Sequence, residues 1–366
     1  MFLRKTYLES RLSLPDAGEH TTDIALREPI TNLWVEFRCR NGATNNQNVT
    51  LADCVSAIEV IDGSEVLYSL DGYEALALTA NYLNCLPNQL ITELPNTYQN
   101  LSVWIPFGRF IGDPTFAFDP TRFVNPQVRV KWNLAAVRAV GATGFKTNDL
   151  TLTILANVME GGVSPTHVMM CKEIYSYVTA AGIEYIDLPT DYPIKALLFR
   201  AQLAATSIYG TVSALKLQVD QEKFIPFNMR MTDLIRYNSG IEPILHYDHV
   251  FHCADGDTVQ FILRYAETPM FQCPVAGDTV YSYAGLGNGE GALAIDVGGV
   301  GQAADVNAVA HVMGHCIHDC VWVNFGRADE PGEYFPGPDF RMVRLEATGV
   351  IAAGNAYVSL VQAKSY

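Results

Sequence analysis

Along much of the chain apolar and polar residues alternate in period two, in short runs punctuated by Gly, Pro and Asn. Gln127-Val128-Arg129-Val130-Lys131-Trp132, Thr151-Leu152-Thr153-Ile154, Leu215-Lys216-Leu217-Gln218-Val219 and Val343-Arg344-Leu345-Glu346-Ala347 each read as a strand with one buried face. Turn signals such as Asp62-Gly63 and Asp71-Gly72 separate these runs. Helical stripes are few. Residues 72–83, rich in good helix formers, predict one helix, and the corresponding place in the second half, 229–237, predicts a shorter one. Residues 1–12 predict a third, with Leu3, Tyr7, Leu8 and Leu12 on one face and Arg4 and Arg11 on another. Such an element is either a docked or frayed terminus, or a basic amphipathic surface for an anionic membrane or a neighbouring subunit.

The strand pattern is organised as a repeat. Val103-Trp104-Ile105-Pro106-Phe107-Gly108-Arg109 returns as Val321-Trp322-Val323-Asn324-Phe325-Gly326-Arg327, although the chain has only 4 Trp. Further pairs follow in the same order on both sides. Lys5-Thr6-Tyr7 is echoed by Lys172-Glu173-Ile174-Tyr175, and Ile24-Ala25-Leu26 with Pro29-Ile30 and Leu33-Trp34-Val35 by Ile186-Asp187-Leu188 with Pro193-Ile194 and Leu197-Leu198-Phe199. Val55-Ser56-Ala57-Ile58 returns as Val212-Ser213-Ala214-Leu215, Val128-Arg129-Val130 as Val343-Arg344-Leu345, and 150–155 as 357–361. The step between partners is 164 at Pro29/Pro193, 157 at Val55/Val212 and 218 at Trp104/Trp322, so the second half gains 61 residues before its Trp heptad. That insertion, about 237–318, contains the Gly-rich stretches 285–291 and 298–301, which predict a long projecting loop that could carry short strands of its own.

Two units also suit a chain of 366 residues, more than one core usually serves. We expect a separate arm over 1–20, a first domain over 21–165, and a second over 166–366 carrying the insertion. Each domain, with about eight strands and few helices, predicts an all-β jelly roll, so the fold class is two tandem eight-stranded jelly rolls. Apolar residues make up 49% and charged residues 17%, which argues against disorder. A net charge of −15 without a basic tail argues against nonspecific nucleic-acid binding. The 8 dispersed Cys, with no signal peptide and no apolar run of membrane length, predict reduced thiols made in a cytoplasm.

Ile61-Asp62-Gly63-Ser64-Glu65-Val66-Leu67 with the Gly72-Tyr73-Glu74 helix start, Ile105-Pro106-Phe107-Gly108-Arg109, Phe116-Ala117-Phe118-Asp119-Pro120 and Phe123-Val124-Asn125-Pro126-Gln127-Val128 carry a family likeness. The chain resembles the double jelly-roll major capsid proteins of tailless icosahedral viruses, the lineage of tectiviruses and adenoviruses. That resemblance implies a non-enzymatic virion protein, assembled in a host cytoplasm as pseudo-hexameric homotrimers that tile an icosahedral shell. It implies neighbouring capsomers, penton or minor capsid proteins as partners, and an internal membrane touched by the N-terminal arm. The insertion would be an outward tower.

Candidate chemistry is sparse. His246-Tyr247-Asp248-His249-Val250-Phe251-His252-Cys253 and His311-Val312-Met313-Gly314-His315-Cys316-Ile317-His318-Asp319-Cys320 offer imidazoles and thiols to zinc. On a strand Cys316, His318 and Cys320 would share a face; on a helix His311 and His315 would. Neither run has a paired C-x₂-C or an H-E-x-x-H, and packing at the base of the insertion accounts for them, so no catalytic, cofactor or metal residue is assigned. His246, His249 and His252 could instead sense pH at subunit contacts, as free imidazoles titrate near ~6.5. The 285–291 stretch lacks the Lys-Ser/Thr and strand–helix setting of a phosphate loop. Asp23, Asp187 and Asp191 read as turn residues. Two other function classes remain open: a two-barrel cupin-type metalloenzyme, whose His-x-His pattern is missing, and a glycan-binding jelly-roll protein.

Overall fold

A computed structural model describes the chain apart from residues 45, 47–48, 88, 136–143, 204–205, 254–257, 276–278, 285–291, 297–305 and 328, and apart from the side chains of 252–262 and 274–306. The two Gly-rich stretches and the side chains of His252 and Cys253 therefore lie outside the described residues. The first half runs β1 (Phe2–Leu14), β2 (Ala17–Asp23), β3 (Ile30–Arg40), β4 (Val55–Asp62), β5 (Glu65–Leu70), α1 (Gly72–Leu83), β6 (Ile91–Thr92), β7 (Tyr98–Pro106), β8 (Pro126–Asn133) and β9 (Leu150–Glu160). The second half opens with β10 (His167–Val178), β11 (Gly182–Leu188), β12 (Ile194–Gln202), β13 (Val212–Val219), β14 (Phe224–Arg230) and α2 (Met231–Ser239). The insertion holds β15 (Leu245–Cys253), β16 (Thr258–Ile262), β17 (Tyr265–Val275), β18 (Thr279–Ala284), β19 (Ala292–Asp296) and β20 (Val306–Ile317). The chain closes with β21 (Cys320–Asn324), β22 (Val343–Gly349) and β23 (Asn355–Ser365).

In the first half β1-β9-β3-β7 form one sheet and β2-β8-β4-β5 the other; in the second, β10-β23-β12-β21 and β11-β22-β13-β14 take the same places. These orders are two jelly rolls. Period-two alternation builds them: on β8, Val128, Val130 and Trp132 are buried while Arg129 turns outward to Glu59 at 2.6 Å.

Register confirms the duplication residue by residue. Trp104 on β7 faces Trp34 on β3, and Trp322 on β21 faces Leu198 on β12, positions separated by the same 164 residues as the paired prolines. Register shifts recur at equivalent places: between Ile30/Asn32 and Ile194/Ala196, between Val55/Ala57 and Val212/Ala214, and between Tyr7/Glu9 and Glu173/Tyr175. Some sequence matches slip. Val55 faces Trp132 and Val212 faces Gly349, so Val128-Arg129-Val130 corresponds to Leu345-Glu346-Ala347 rather than to 343–345. A slip of two keeps every side chain on its face, so a period-two pattern cannot detect it.

The repeated heptads have a structural reason. β7 and β21 are edge strands, and a helix covers each edge at its Trp. The Thr79 hydroxyl of α1 accepts from Trp104 N–H at 2.8 Å and donates to its carbonyl; the Asn238 amide of α2 donates to the Trp322 carbonyl at 2.8 Å. Beyond the Trp, a Cβ on Gly108 would lie 2.5 Å from the Phe116 carbonyl, and one on Gly326 (φ +69°) 2.3 Å from the Glu333 carbonyl. The N–H groups of Arg109 and Arg327 then donate to the carboxylates of Asp113 and Glu333.

Two expectations fail. Residues 1–12 are not a helix and form no separate arm: β1 pairs along β9 from Phe2↔Glu160 to Leu14↔Leu150. Its two register shifts, with Arg11 at φ 50°, break the period-two spacing and mimic a helical stripe. A short helix would also forgo the ladder that β9 offers, and isolated helices of this length are marginal. The insertion is more than a loop with short strands: it forms a sheet of order β18-β17-β20-β15-β6, and a separate antiparallel pair, β16 with β19. Its inner residues Tyr247, Phe251, Tyr265, Phe271 and Val312 join the apolar cluster of the first barrel, while the second barrel has a cluster of its own.

Gly326→Ala and Gly63→Ala test the heptad account. Both place alanine in the left-handed region, but a Cβ at Gly63 meets nothing within 4 Å. Thermal unfolding should show Gly326→Ala destabilised by about 1–3 kcal/mol more, the usual cost of overpacking. Equal shifts of the midpoint would dispose of the close-approach argument.

Candidate functional site: the seam and the open edges

The barrels meet where β5 pairs in parallel with β10, Tyr68 against Cys171 and Ser69 against Lys172, fusing two sheets into one of eight strands, β2-β8-β4-β5-β10-β23-β12-β21. β12 is consequently buried on both faces. Leu197 and Phe199 fill the second barrel, whereas Ala196, Leu198 and Arg200 face the first.

Arg200 is 1% exposed and donates to Asp71 Oδ2 at 2.6 Å. Its guanidinium lies 4.0 Å from the Tyr357 ring centroid and 5.1 Å from that of Tyr73. Asp71 serves twice, because its Oδ1 caps α1 by accepting from the N–H groups of Tyr73 and Glu74. One carboxylate thus fixes the helix of the first barrel to a sheet of the second. Glu74 is also fully buried, and its Oε1 accepts from Ser359 on β23 at 3.0 Å. Burial, then the charge of Asp71, pushes the Glu74 carboxyl up to about 8, against the pull of Arg200 and the Ser359 hydrogen bond. Burial thus favours the neutral form of Glu74 beside the Arg200–Asp71 pair.

A second tie joins the first heptad to the segment just after the second. Arg109 pairs with Asp113 at 2.6 Å and donates across the seam to the Asp329 carbonyl at 2.7 Å. Burial opposes it, yet hydrogen bonds from Arg109 and from the Thr115 and Phe116 backbone hold the Asp113 carboxyl below its usual range. Lys364 on β23 pairs with Glu65 on β5, and Tyr366 donates to the Ala117 carbonyl. None of these residues was assigned to a junction between the halves from the sequence: Arg109 stood there as a heptad position, Asp71 as a turn signal and Glu74 as part of a helix start. Arg200 carried a signal all the same: a charge inside the apolar run Ile194-Lys195-Ala196-Leu197-Leu198-Phe199-Arg200-Ala201 must find a partner where that run is buried.

The seam uses β5 of the first barrel and β10 of the second, and their counterparts are open. β14 ends one sheet and β1 ends another. Phe224 and Ile225 on β14, and Phe2, Leu3 and Tyr7 on β1, are exposed apolar side chains. Arg327, the partner of Arg109 in the repeat, has a side chain 63% exposed against 13%.

The His- and Cys-containing runs are divided by the insertion. β20 and β21 are joined by a tight turn with His318 and Asp319 at positive φ, so Cys316 enters the core of the second barrel and Cys320 that of the first. The expectation that Cys316, His318 and Cys320 share a face fails for that reason. His318 packs on Tyr73 with ring centroids 4.4 Å apart. His249 is 1% exposed and lies 3.2 Å from Glu93, and burial lowers its pKa despite that carboxylate. Its ring is buried in the core and not on the surface. His246, Asp248 and His311 converge on the outer face of the inserted sheet. Asp187 is not a turn residue: it lies within β11, opposite Arg344 and 2.7 Å from it, because the acid–base pair sits cross-strand on the outer face.

No family model matches the sequence, and no curated protein matches it significantly. Solved structures do match. The crystal structure of the STIV MCP superposes with TM-score 0.61 at 11% identity, covering 99% of this chain and 97% of that one. The PBCV-1 virus capsid gives 0.56 at 11% identity over 99% and 93%. The major capsid protein P2 from bacteriophage PM2 gives 0.55 at 10% identity over 100% and 98%. The chain is a double jelly roll. Its whole length, insertion included, is spanned by these three, so the duplicated architecture and not one barrel alone is what they share.

Two substitutions test the seam. Asp71→Asn keeps a competent helix cap but leaves Arg200 buried without its anion, and should cost about 3–5 kcal/mol of stability. Adding Arg200→Met should recover most of that loss; a double variant no better than the single one would show that the charge pair is incidental. Glu74 gives a pH signature. Unfolded, it ionises near its ordinary 4.5; folded, it keeps its proton up to about 8. The folded state binds the extra proton between these values, so stability falls as pH rises through that window and is level below it. Glu74→Gln, which still accepts from Ser359, should flatten that slope in melting curves between pH 5 and 8.5. An unchanged slope would refute the assignment.

Proposed function

We propose that this protein is a viral major capsid protein whose activity is self-assembly into pseudo-hexameric trimers that tile an icosahedral shell. The observation that carries the reading is the inequality of equivalent edges. Within one chain β5 meets β10; β14 and β1, which hold the same two places, are left open with apolar side chains exposed. A second copy presenting its β1 to this β14 would repeat the internal seam between molecules. Three chains then give six barrels and six junctions of one kind, a closed ring in which no β1 or β14 edge is left unpaired. The shared fold with the STIV MCP, the PBCV-1 capsid and P2 of PM2 supports the same role. Capsomer neighbours, and minor proteins at the vertices, are its further partners in this reading. The exposed apolar residues of β1 are assigned to the adjoining subunit, not to a membrane.

Light scattering on the purified chain should give a particle of about three times 40.3 kDa. Ile225→Asp on β14 and Phe2→Asp on β1 should each yield folded monomers, since a charge buried at an interface without a partner is strongly unfavourable. A wild-type monomer at assembly concentrations, or trimers indifferent to both substitutions, would overturn the proposal.

A further inference from the structure

The inserted sheet carries a cluster that neither the seam nor the open edges explain. On β15, His246 and Asp248 are two residues apart and so project from the same face. On the adjacent β20, His311 stands directly opposite Asp248. His311 Nδ1 lies 2.7 Å and His246 Nε2 2.9 Å from one and the same oxygen, Asp248 Oδ1. The two imidazoles are stacked with centroids 6.1 Å apart and planes 17° from parallel, and the three donor atoms all lie within 4.8 Å of one another. The inward neighbours Leu245, Tyr247 and His249 are buried, so the backbone beneath the cluster is held by the core.

We propose that His246, Asp248 and His311 form a binding site for a divalent transition-metal ion of the zinc type. Two imidazoles and a carboxylate are a donor set suited to Zn²⁺, Co²⁺ or Ni²⁺, and poor for Ca²⁺ or Mg²⁺, which take oxygen. With metal–ligand bonds of about 2.0–2.1 Å, tetrahedral ligands stand roughly 3.3 Å apart. The two N–O separations are already close to that, and small rotations of exposed side chains bring in the third. The site is open: three protein ligands leave a position for water or for a donor on a bound partner. Gln272 on β17 follows His311 in the same cross-strand row. The consequence is mechanical. The ion would cross-link β15 to β20, neighbouring strands in the middle of the inserted sheet, and hold the first strand of the insertion to its last.

Neither run has a zinc spacing by itself. The donors come from both runs, 63 residues apart between Asp248 and His311, and only strand register unites them.

The test uses the full chain after chelator treatment. Titration with Co²⁺ should give one saturating equivalent per chain, with a visible spectrum that lacks a thiolate-to-cobalt charge-transfer band, and Zn²⁺ should displace it. Zn²⁺ should also raise the thermal midpoint of the wild type. His311→Ala and Asp248→Asn should each weaken binding at least about 100-fold, since losing even an outer-shell partner of a ligand costs 10–100-fold. Both positions are on the surface, so the midpoints of the variants in chelator should equal that of the wild type and show that the fold is intact. Absence of saturable binding at millimolar metal, a thiolate band, or equal affinity in the variants would each overturn the proposal.

Discussion

The parallel contact between β5 and β10 is the constraint on which the remainder of the molecule depends. Two paired positions make a short ladder, and a ladder of that length is not what holds two barrels together. What it does is place the outer face of β10-β23-β12-β21 against α1 and the first barrel, so that a sheet which would otherwise show one face to water is buried on both. β12 shows the effect in its composition: side chains of both parities are apolar, as in strands covered on two sides. Of the two charges in that run, Lys195 and Arg200, the second is paired with the residue that caps α1, so packing, capping and charge pairing meet at Asp71.

Duplication supplied equal parts, and the seam made them unequal. Thr79 and Asn238 perform the same task at the two Trp edges with different chemistry. Asp71 caps α1 through its side chain, whereas Arg230 at the same point of α2 makes no such bond, and only the first faces a buried cation. Arg109 is enclosed and Arg327 exposed. These differences track one variable, whether the position lies at the internal junction or at its open counterpart.

The insertion departs from the second barrel between α2 and β21 yet packs on the first. β6 pairs in parallel with β15, and Tyr247, Phe251 and Tyr265 extend the first apolar cluster. The chain thereby crosses the seam a second time. The return turn at His318 and Asp319 sends Cys316 and Cys320 to different cores, which ties the foot of the inserted sheet to both barrels.

Periodicity in the sequence determined that the protein is all-β, that it is a repeated unit, and where α1 lies, because alternation, heptad identity and helix formers are local properties that survive without any knowledge of neighbours. It determined too that the second copy carries a large insertion. Only the tertiary structure decided the rest. Residues 1–12 became a strand because β9 was there to pair with, and its bulges had disguised the period. The insertion became a sheet because its strands could bury Tyr247 and Phe271 against the first barrel, which no count of glycines reveals. Arg200 with Asp71, and His246 with His311, are each separated by dozens of residues and joined by register; a one-dimensional chain holds the partners but not the distance between them.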